Sequence, residues 1–174
     1  MSKKYQVIYA DPPWSYDNKK IGRKGGSIEN YNTMTLDDIM EMKMKIPFDD
    51  NSVLFLWITV PLLPNGFKVM DAWGFKYKTM LTWVKMRKIG MGYYYRGQSE
   101  HLLFGVKGNI KAFRTKHKNV IASIVGKHSE KPEDFRKLIE RSTFHLPNKL
   151  ELFARKESPG WDVFGDQVKN SIVL

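Results

Sequence analysis

The stretch Tyr9-Ala10-Asp11-Pro12-Pro13-Trp14 breaks abruptly from what precedes it. Val7-Ile8-Tyr9 is an apolar run that reads as a buried strand. That strand runs into an acid, two prolines and an indole. Pro12 fixes its own φ, Pro13 drives Pro12 toward extended backbone, and Pro12 does the same to Asp11. The turn is therefore stiff before anything binds. Neither proline carries an N–H, so the backbone here offers carbonyl acceptors and few donors. Asp11 adds a carboxylate acceptor, and Trp14 a flat surface on which a base can stack. Acceptors beside a stacking platform suit a planar substrate bearing an amino group. The same residues also suit an ordinary turn followed by a core tryptophan, and both readings stand at this point.

A chain of 174 residues is expected to form one domain, 1–174, with enough length for a sizeable core. The 29 Lys and Arg outnumber the 18 Asp and Glu, a formal charge of +11 that favours a polyanionic partner, most simply nucleic acid. No cysteine is present, which excludes disulfides, thiolate metal sites and a Cys nucleophile. It also excludes the covalent, thiol-dependent route to methylation of cytosine at carbon 5. The four His are isolated and form no metal-binding spacing, so no metal is expected. Met1-Ser2-Lys3-Lys4 leads straight into a strand and no apolar run reaches membrane-spanning length. A cytoplasmic protein without a membrane partner is expected.

Residues 15–30 form a polar, Gly-rich loop with Lys19, Lys20, Arg23 and Lys24, read either as solvated surface or as a lid and phosphate clamp. Thr35 suits an N-cap for a short amphipathic helix over 36–43, with Asp37 and Asp38 in its first turn and Pro47 beyond its end. Ser52–Ile58 is a continuous apolar strand of the sort found inside parallel sheets. A helix is expected over 62–73, stopped by Gly74, then a strand over 77–85. Residues 86–99 form a second basic loop, in which Arg87, Lys88 and Arg96 alternate with tyrosines including Tyr94. Cations among aromatics suit single-stranded or flipped bases, and equally an oligomer interface. Strands follow at 100–107 and 120–125, a helix at 133–142 with Pro132 near its first turn, and a strand at 150–154. Glu151, inside that last strand, needs a partner or a task.

Strands alternating with helices make the class α/β with a mostly parallel sheet. Ligands of such sheets bind at the carboxyl ends of the strands. Asp11, the loop after Lys85, the 126–132 loop and Arg155 all lie at strand ends, so they are expected to converge on one edge. No G-x-G-x-x-G or phosphate-binding Lys loop is present, since Gly90-Met91-Gly92 lacks the third glycine and the helix. This argues against a dinucleotide oxidoreductase or an NTPase.

The chain resembles the MT-A70 family of adenine-N6 methyltransferases over nearly its whole length. The resemblance rests on Ala10-Asp11-Pro12-Pro13-Trp14, Tyr31-Asn32-Thr33-Met34-Thr35, Leu54-Phe55-Leu56-Trp57, Trp83-Val84-Lys85, Glu100-His101 and Gly105-Val106-Lys107-Gly108. Ser129-Glu130-Lys131-Pro132, Glu151-Leu152-Phe153-Ala154-Arg155, Gly160-Trp161-Asp162 and Gly165-Asp166-Gln167 complete it. Each motif is weak alone, but their order and number are specific.

The resemblance implies a Rossmann-like methyltransferase fold, a mostly parallel central sheet flanked by helices, and S-adenosyl-L-methionine as cofactor. It implies a catalytic group of Asp11, Pro12, Pro13 and Trp14. Asp11 and the Pro12 carbonyl would accept the two N–H groups of the target amine, and Trp14 would stack on the base. Asp11, Lys131, Arg155, Asp166 and Gln167 match cofactor-contact positions, with Asp166 and Gln167 at the ribose. Trp14 and Tyr16, the Lys19, Lys20, Arg23 and Lys24 loop, and Arg87, Lys88, Tyr94 and Arg96 are the expected nucleic-acid contacts. The small bacterial and phage members make DNA the expected substrate, in a bacterial or phage-infected cell, with RNA as the alternative. A catalytically silent nucleic-acid-binding subunit is the competing reading. Family members often work as homodimers or with a related subunit, and the intact Asp-Pro-Pro-Trp points to the active kind. Two departures stand out. Eukaryotic members carry an acidic residue well upstream of Asp-Pro-Pro-Trp that contacts the cofactor adenine, whereas this chain starts ten residues before Asp11; that contact must come from elsewhere or be missing. Lys156-Glu157-Ser158 also differs from the polar residues that help bind the cofactor carboxylate, so 157 and 158 stay outside the expected site.

Overall fold

The apolar run Ser52–Ile58 forms the middle of a long strand, β2 (Phe48–Thr59), in a computed structural model that describes residues 3–16, 33–90, 92, 94–113, 115–126 and 130–174. On one side β2 pairs in parallel with β1 (Tyr5–Ala10), Val7 opposite Val53 and Ala10 opposite Leu56. On the other it pairs antiparallel with β4 (Ser99–Lys107). Outward from β4 lie β3 (Lys76–Met86) and β5 (Val120–Ile124); outward from β1 lie β6 (Lys149–Leu152) and β7 (Asp162–Phe164). The sheet order is β5-β3-β4-β2-β1-β6-β7.

Among the described strands β4 alone opposes its neighbours. Its link to β3, residues 87–98, has no helix among its described residues and closes as a hairpin, with Lys85 N–H donating to Gln98 C=O and Gly90 N–H to Gly97 C=O. The expected mostly parallel sheet is thus present, with one strand reversed. The reversal puts the start of β4, Ser99-Glu100, on the edge where the other strands end.

Side chains alternate across β2 because successive residues of a strand face opposite ways. Leu54, Leu56 and Ile58 join Ile8 and Ala10 on one face. There they meet α1 (Leu36–Glu41) and α2 (Leu63–Trp73) through Ile39, Val69, Met70 and Trp73. Val53, Phe55 and Trp57 join Val7 and Tyr9 on the other, under Phe135 and Ile139 of α3 (Glu133–Ser142). Full burial of such side chains stabilises by about 1.5–3 kcal/mol each, so β2 contributes to the core on both faces of the sheet.

Local signals behave as their chemistry demands. Thr35 caps α1 in a reciprocal capping box with Asp38. α1 ends at Glu41 and passes into a 3-10 turn over Met42–Met44, so the expected 36–43 helix is shorter in its α part. Gly74 closes α2 in the left-handed conformation, φ 82°. Trp73 Nε1 donates to Ile39 C=O at 3.0 Å and locks α1 onto α2. β6 stops at Leu152, two residues before the expected end, because Phe153 turns left-handed at φ 62°. The strand β7 is absent from the sequence-based expectations: three residues between Gly160 and Gly165 are too few for an alternation to register. No described helix is long and apolar enough to cross a membrane.

Candidate active site

The carboxyl edge of the sheet opens into a cavity of about 770 Å3. The end of β1 supplies Asp11, Pro12, Pro13 and Trp14; the turn after β6 supplies Phe153, Ala154 and Arg155; the turn after β7 supplies Gly165, Asp166 and Gln167. Lys131 enters from just before α3, and Tyr16 from beyond Trp14. The structure thus brings all the expected catalytic and cofactor-contact residues, scattered between positions 11 and 167, to one cavity.

The acid–proline turn is held by its own backbone. Trp14 N–H donates to Pro12 C=O at 2.9 Å, and Met34 N–H to Pro13 C=O at 2.9 Å. Among the described residues Pro12 C=O accepts this one bond from Trp14, which leaves a lone-pair direction for a further donor. Trp14 Nε1 donates to Trp57 C=O at 2.9 Å, which anchors the indole while leaving it partly exposed to the cavity. Trp57 is itself buried, and its Nε1 donates to Tyr9 Oη at 2.8 Å. Burial drives the Tyr9 phenol pKa well above its ordinary value, so it acts as a neutral hydroxyl. Tyr16 Oη shares a hydrogen bond of 2.5 Å with Thr59 Oγ1 at the end of β2.

Charges alternate along this edge. Lys131 Nζ reaches the two Asp11 carboxylate oxygens at 2.7 and 2.9 Å and lies 3.3 Å from Glu100 Oε2. Lys85 Nζ donates to Glu100 Oε1. Burial opposes the charge of Glu100, but Lys131 and Lys85 outweigh it and hold its pKa below the ordinary carboxylate value. Burial likewise opposes the Lys131 charge, but Asp11 and Glu100 outweigh it and raise its pKa. Lys131 also sits over the Trp57 ring, 5.2 Å from its centroid. Glu100 is not among the site residues expected from sequence. Its position in an apolar strand hides it; only the reversal of β4 places it beside Lys131. The clue in the sequence is an acid next to the start of an otherwise apolar run.

Glu151 has its partner. Arg136 Nη2 donates to Glu151 Oε2 at 2.6 Å, and the guanidinium lies between the Tyr9 and Trp161 rings, 5.4 and 5.3 Å from their centroids. Burial raises the Glu151 pKa, and Arg136 offsets part of the rise. This pair lies under α3 and does not line the cavity.

β6 and β7 run on together past their ends, since Ala154 N–H donates to Phe164 C=O at 3.0 Å. Gly165 then passes so close that a Cβ would stand 2.1 Å from Ala154 C=O. Only glycine fits there, and this close approach sets Arg155 beside Asp166 and Gln167 along the cavity.

The residues fit S-adenosyl-L-methionine. An acid and an ammonium at one end match an amino acid's amino and carboxylate groups, and Asp166 with Gln167 offers acceptors and donors for a ribose diol. The volume lies within the range of small-molecule sites.

Of the expected nucleic-acid contacts, Trp14 and Tyr16 line the cavity. Lys19, Lys20, Arg23 and Lys24 lie outside the described residues. Arg87, Lys88, Tyr94 and Arg96 are exposed on the β3–β4 hairpin, away from the cavity lining but at the same sheet edge. β3 lies three strands from β1, roughly 14 Å at ordinary strand spacing.

The MT-A70 family model matches residues 5–167. The Type II methyltransferase M.MunI of a Mycoplasma species is 33% identical over 190 aligned positions, covering 97% of this chain and 80% of that one. The N(6)-adenosine-methyltransferase subunit METTL3 of Danio rerio is 30% identical over 95% of this chain, and the human METTL3 catalytic subunit 29% over 95%; this chain spans 28% of each. By the family match and these relatives, the chain belongs to the MT-A70 family of S-adenosylmethionine-dependent adenine-N6 methyltransferases.

Proposed function

We propose that this protein transfers the methyl group of S-adenosyl-L-methionine to the N6 amino group of adenine in DNA. The observation that carries the reading is the meeting of Asp11, Pro12 C=O and Trp14 with Lys131, Arg155, Asp166 and Gln167 in one cavity. The similarity to M.MunI, a type II methyltransferase, supports DNA over RNA.

When bound, the cofactor supplies an electrophilic methyl on sulfur. The chain's own residues do the rest. An exocyclic amine is a poor nucleophile because its lone pair is delocalised into the ring. Asp11 and Pro12 C=O accept its two N–H groups and favour a pyramidal nitrogen whose lone pair points at the methyl. With the methyl supplied from the cofactor's sulfonium and the neutral thioether as leaving group, the amine would gain one methyl and give up one proton, for which the Asp11 carboxylate, already accepting an N–H, is the acceptor at hand. Trp14 stacks on the base, taken from a single strand or flipped out of a duplex. Lys131, Arg155, Asp166 and Gln167 would hold the cofactor beside the amine site. Catalysis is then chiefly positioning and electrostatics.

Arg87, Lys88 and Arg96 supply phosphate contacts at the same edge, with Tyr94 beside them, and the basic stretch with Lys19, Lys20, Arg23 and Lys24 adds more. The exposed Ile89, Tyr94 and Tyr95 also suit a second subunit, either another copy or a related chain. The cell compartment of the reading is the cytoplasm. RNA is the second reading, favoured by the likeness to METTL3.

The test offers labelled S-adenosylmethionine with matched single-stranded DNA, duplex DNA and RNA, followed by nucleoside mass analysis. N6-methyladenine in DNA is the expected product. Product in RNA alone moves the substrate to RNA. No transfer and no cofactor binding returns the chain to a silent subunit. A folded Asp11→Ala protein is expected to lose at least about 100-fold in turnover; near-normal turnover would remove Asp11 from its role.

A further inference from the structure

The cavity has a part that the catalytic and ribose-binding residues do not account for. Asp11, Lys131 and Arg155 serve its amino-acid end, and Asp166 with Gln167 the ribose. The remaining wall includes Met42, Phe164 and Leu174, with exposed Lys45 at the margin. Met42, Phe164 and Leu174 are partly buried and pack against the core on the α1–α2 face. Among the described lining residues the carboxylates are Asp11 and Asp166 alone, one placed at the amino-acid end and one at the ribose.

Leu174 is brought there by a defined fold-back. Ser171 N–H donates to Val163 C=O at 2.8 Å, Val163 N–H to Ser171 Oγ at 3.0 Å, and Gly165 N–H to Asn170 Oδ1 at 2.8 Å. These bonds tie residues 170–171 to β7, so that Ile172 and Leu174 pack on the core and Leu174 faces the cavity. The segment 168–174 lies beyond residues 5–167, the span matched by the family model. The 3-10 turn Met42–Met44, which follows α1, supplies a further lining side chain, Met42.

We infer that Met42, Phe164 and the folded-back Leu174 form the adenine subsite of the cofactor, gripping the heterocycle by apolar contact. The inference rests on the proposed cofactor use. A thioether, a phenyl ring and a branched aliphatic group suit a flat, weakly polar ring, and such contact discriminates little among ring substituents. The fold-back makes cofactor affinity depend on the tail as well as on the motifs.

Calorimetric titration tests this with two ligands: S-adenosylhomocysteine, and methylthioadenosine, which keeps adenine and ribose but lacks the amino-acid end. Leu174→Ser and Met42→Gln are compared with the unaltered protein, each verified as folded by its thermal transition. Both variants are expected to weaken both ligands by roughly tenfold, from reduced apolar burial. Lys131→Ala is expected to weaken S-adenosylhomocysteine while leaving methylthioadenosine nearly unchanged. Unaltered affinity for both ligands in the folded Leu174 and Met42 variants overturns the adenine subsite and leaves the methyltransferase reading standing. Absence of S-adenosylhomocysteine binding by the unaltered protein overturns both.

Discussion

Lys131 Nζ bridges the two carboxylate oxygens of Asp11 at 2.7 and 2.9 Å, across 120 positions of sequence. Lys131 is largely buried, with a side chain 16% exposed, and it divides its charge between Asp11 and Glu100. Glu100 is in turn paired with Lys85. The four groups alternate in sign along the carboxyl edge. Removing one leaves a neighbour's charge poorly solvated, so the network holds Asp11 in place beside the Pro12 carbonyl.

Glu100→Gln is expected to destabilise the protein by about 1–3 kcal/mol at neutral pH. Its pKa is depressed in the folded state. The Glu100 contribution is therefore complete above the unfolded value, about 4.3, and is lost as pH falls through the lower folded value. Thermal melts across pH should show the gap between wild type and variant closing only at acid pH. A gap that is constant down to the acid limit would mean the charge of Glu100 contributes nothing.

Arg136 and Glu151 form a buried pair; among the described residues Arg136 Nε and Nη1 find no hydrogen-bond partner, and Nε lies 3.5 Å from Oε1 of the exposed Glu133. Arg136→Met should cost about 3 kcal/mol or more, because it strands Glu151. Arg136→Met with Glu151→Leu should recover most of that loss. Urea denaturation of the single and double variants measures the coupling; additive losses would show that the pair acts independently.

Gly165→Ala should destabilise by about 1–3 kcal/mol, since the new Cβ meets Ala154 backbone that has no rotamer with which to yield. It should also weaken S-adenosylhomocysteine binding, because Arg155, Asp166 and Gln167 flank that close approach. Titration and denaturation on one preparation separate the two effects, and normal stability with normal affinity would refute the steric argument.

Arg87→Gln, Lys88→Gln and Arg96→Gln together should lower DNA affinity and flatten its salt dependence, by about 0.9 in the log–log slope for each phosphate no longer neutralised. Cofactor affinity should not change, as these side chains lie outside the cavity lining. Binding measured over a range of salt concentrations is the check; an unchanged slope would return the hairpin to a subunit interface.

The alternation of strands and helices, the Thr35 cap, the Gly74 stop and the buried run of β2 were all legible in the sequence, because each depends on neighbours within a few residues. So was the acid–proline turn, whose stiffness comes from covalent rings. The motif order also sufficed to name the family and the expected catalytic and cofactor-contact residues, all of which line the cavity. Three things depended on pairing between distant segments. The hairpin link reverses β4, which puts Glu100 beside Lys131. β7, too short to carry a pattern, becomes a strand only because β6 lies beside it. Leu174 reaches the cavity only because residues 170–171 bond back to β7. Local chemistry determines which segments can be strands, helices and turns; the partner each segment meets is settled by packing of the whole sheet, and the charge network and the far wall of the cavity are products of that packing.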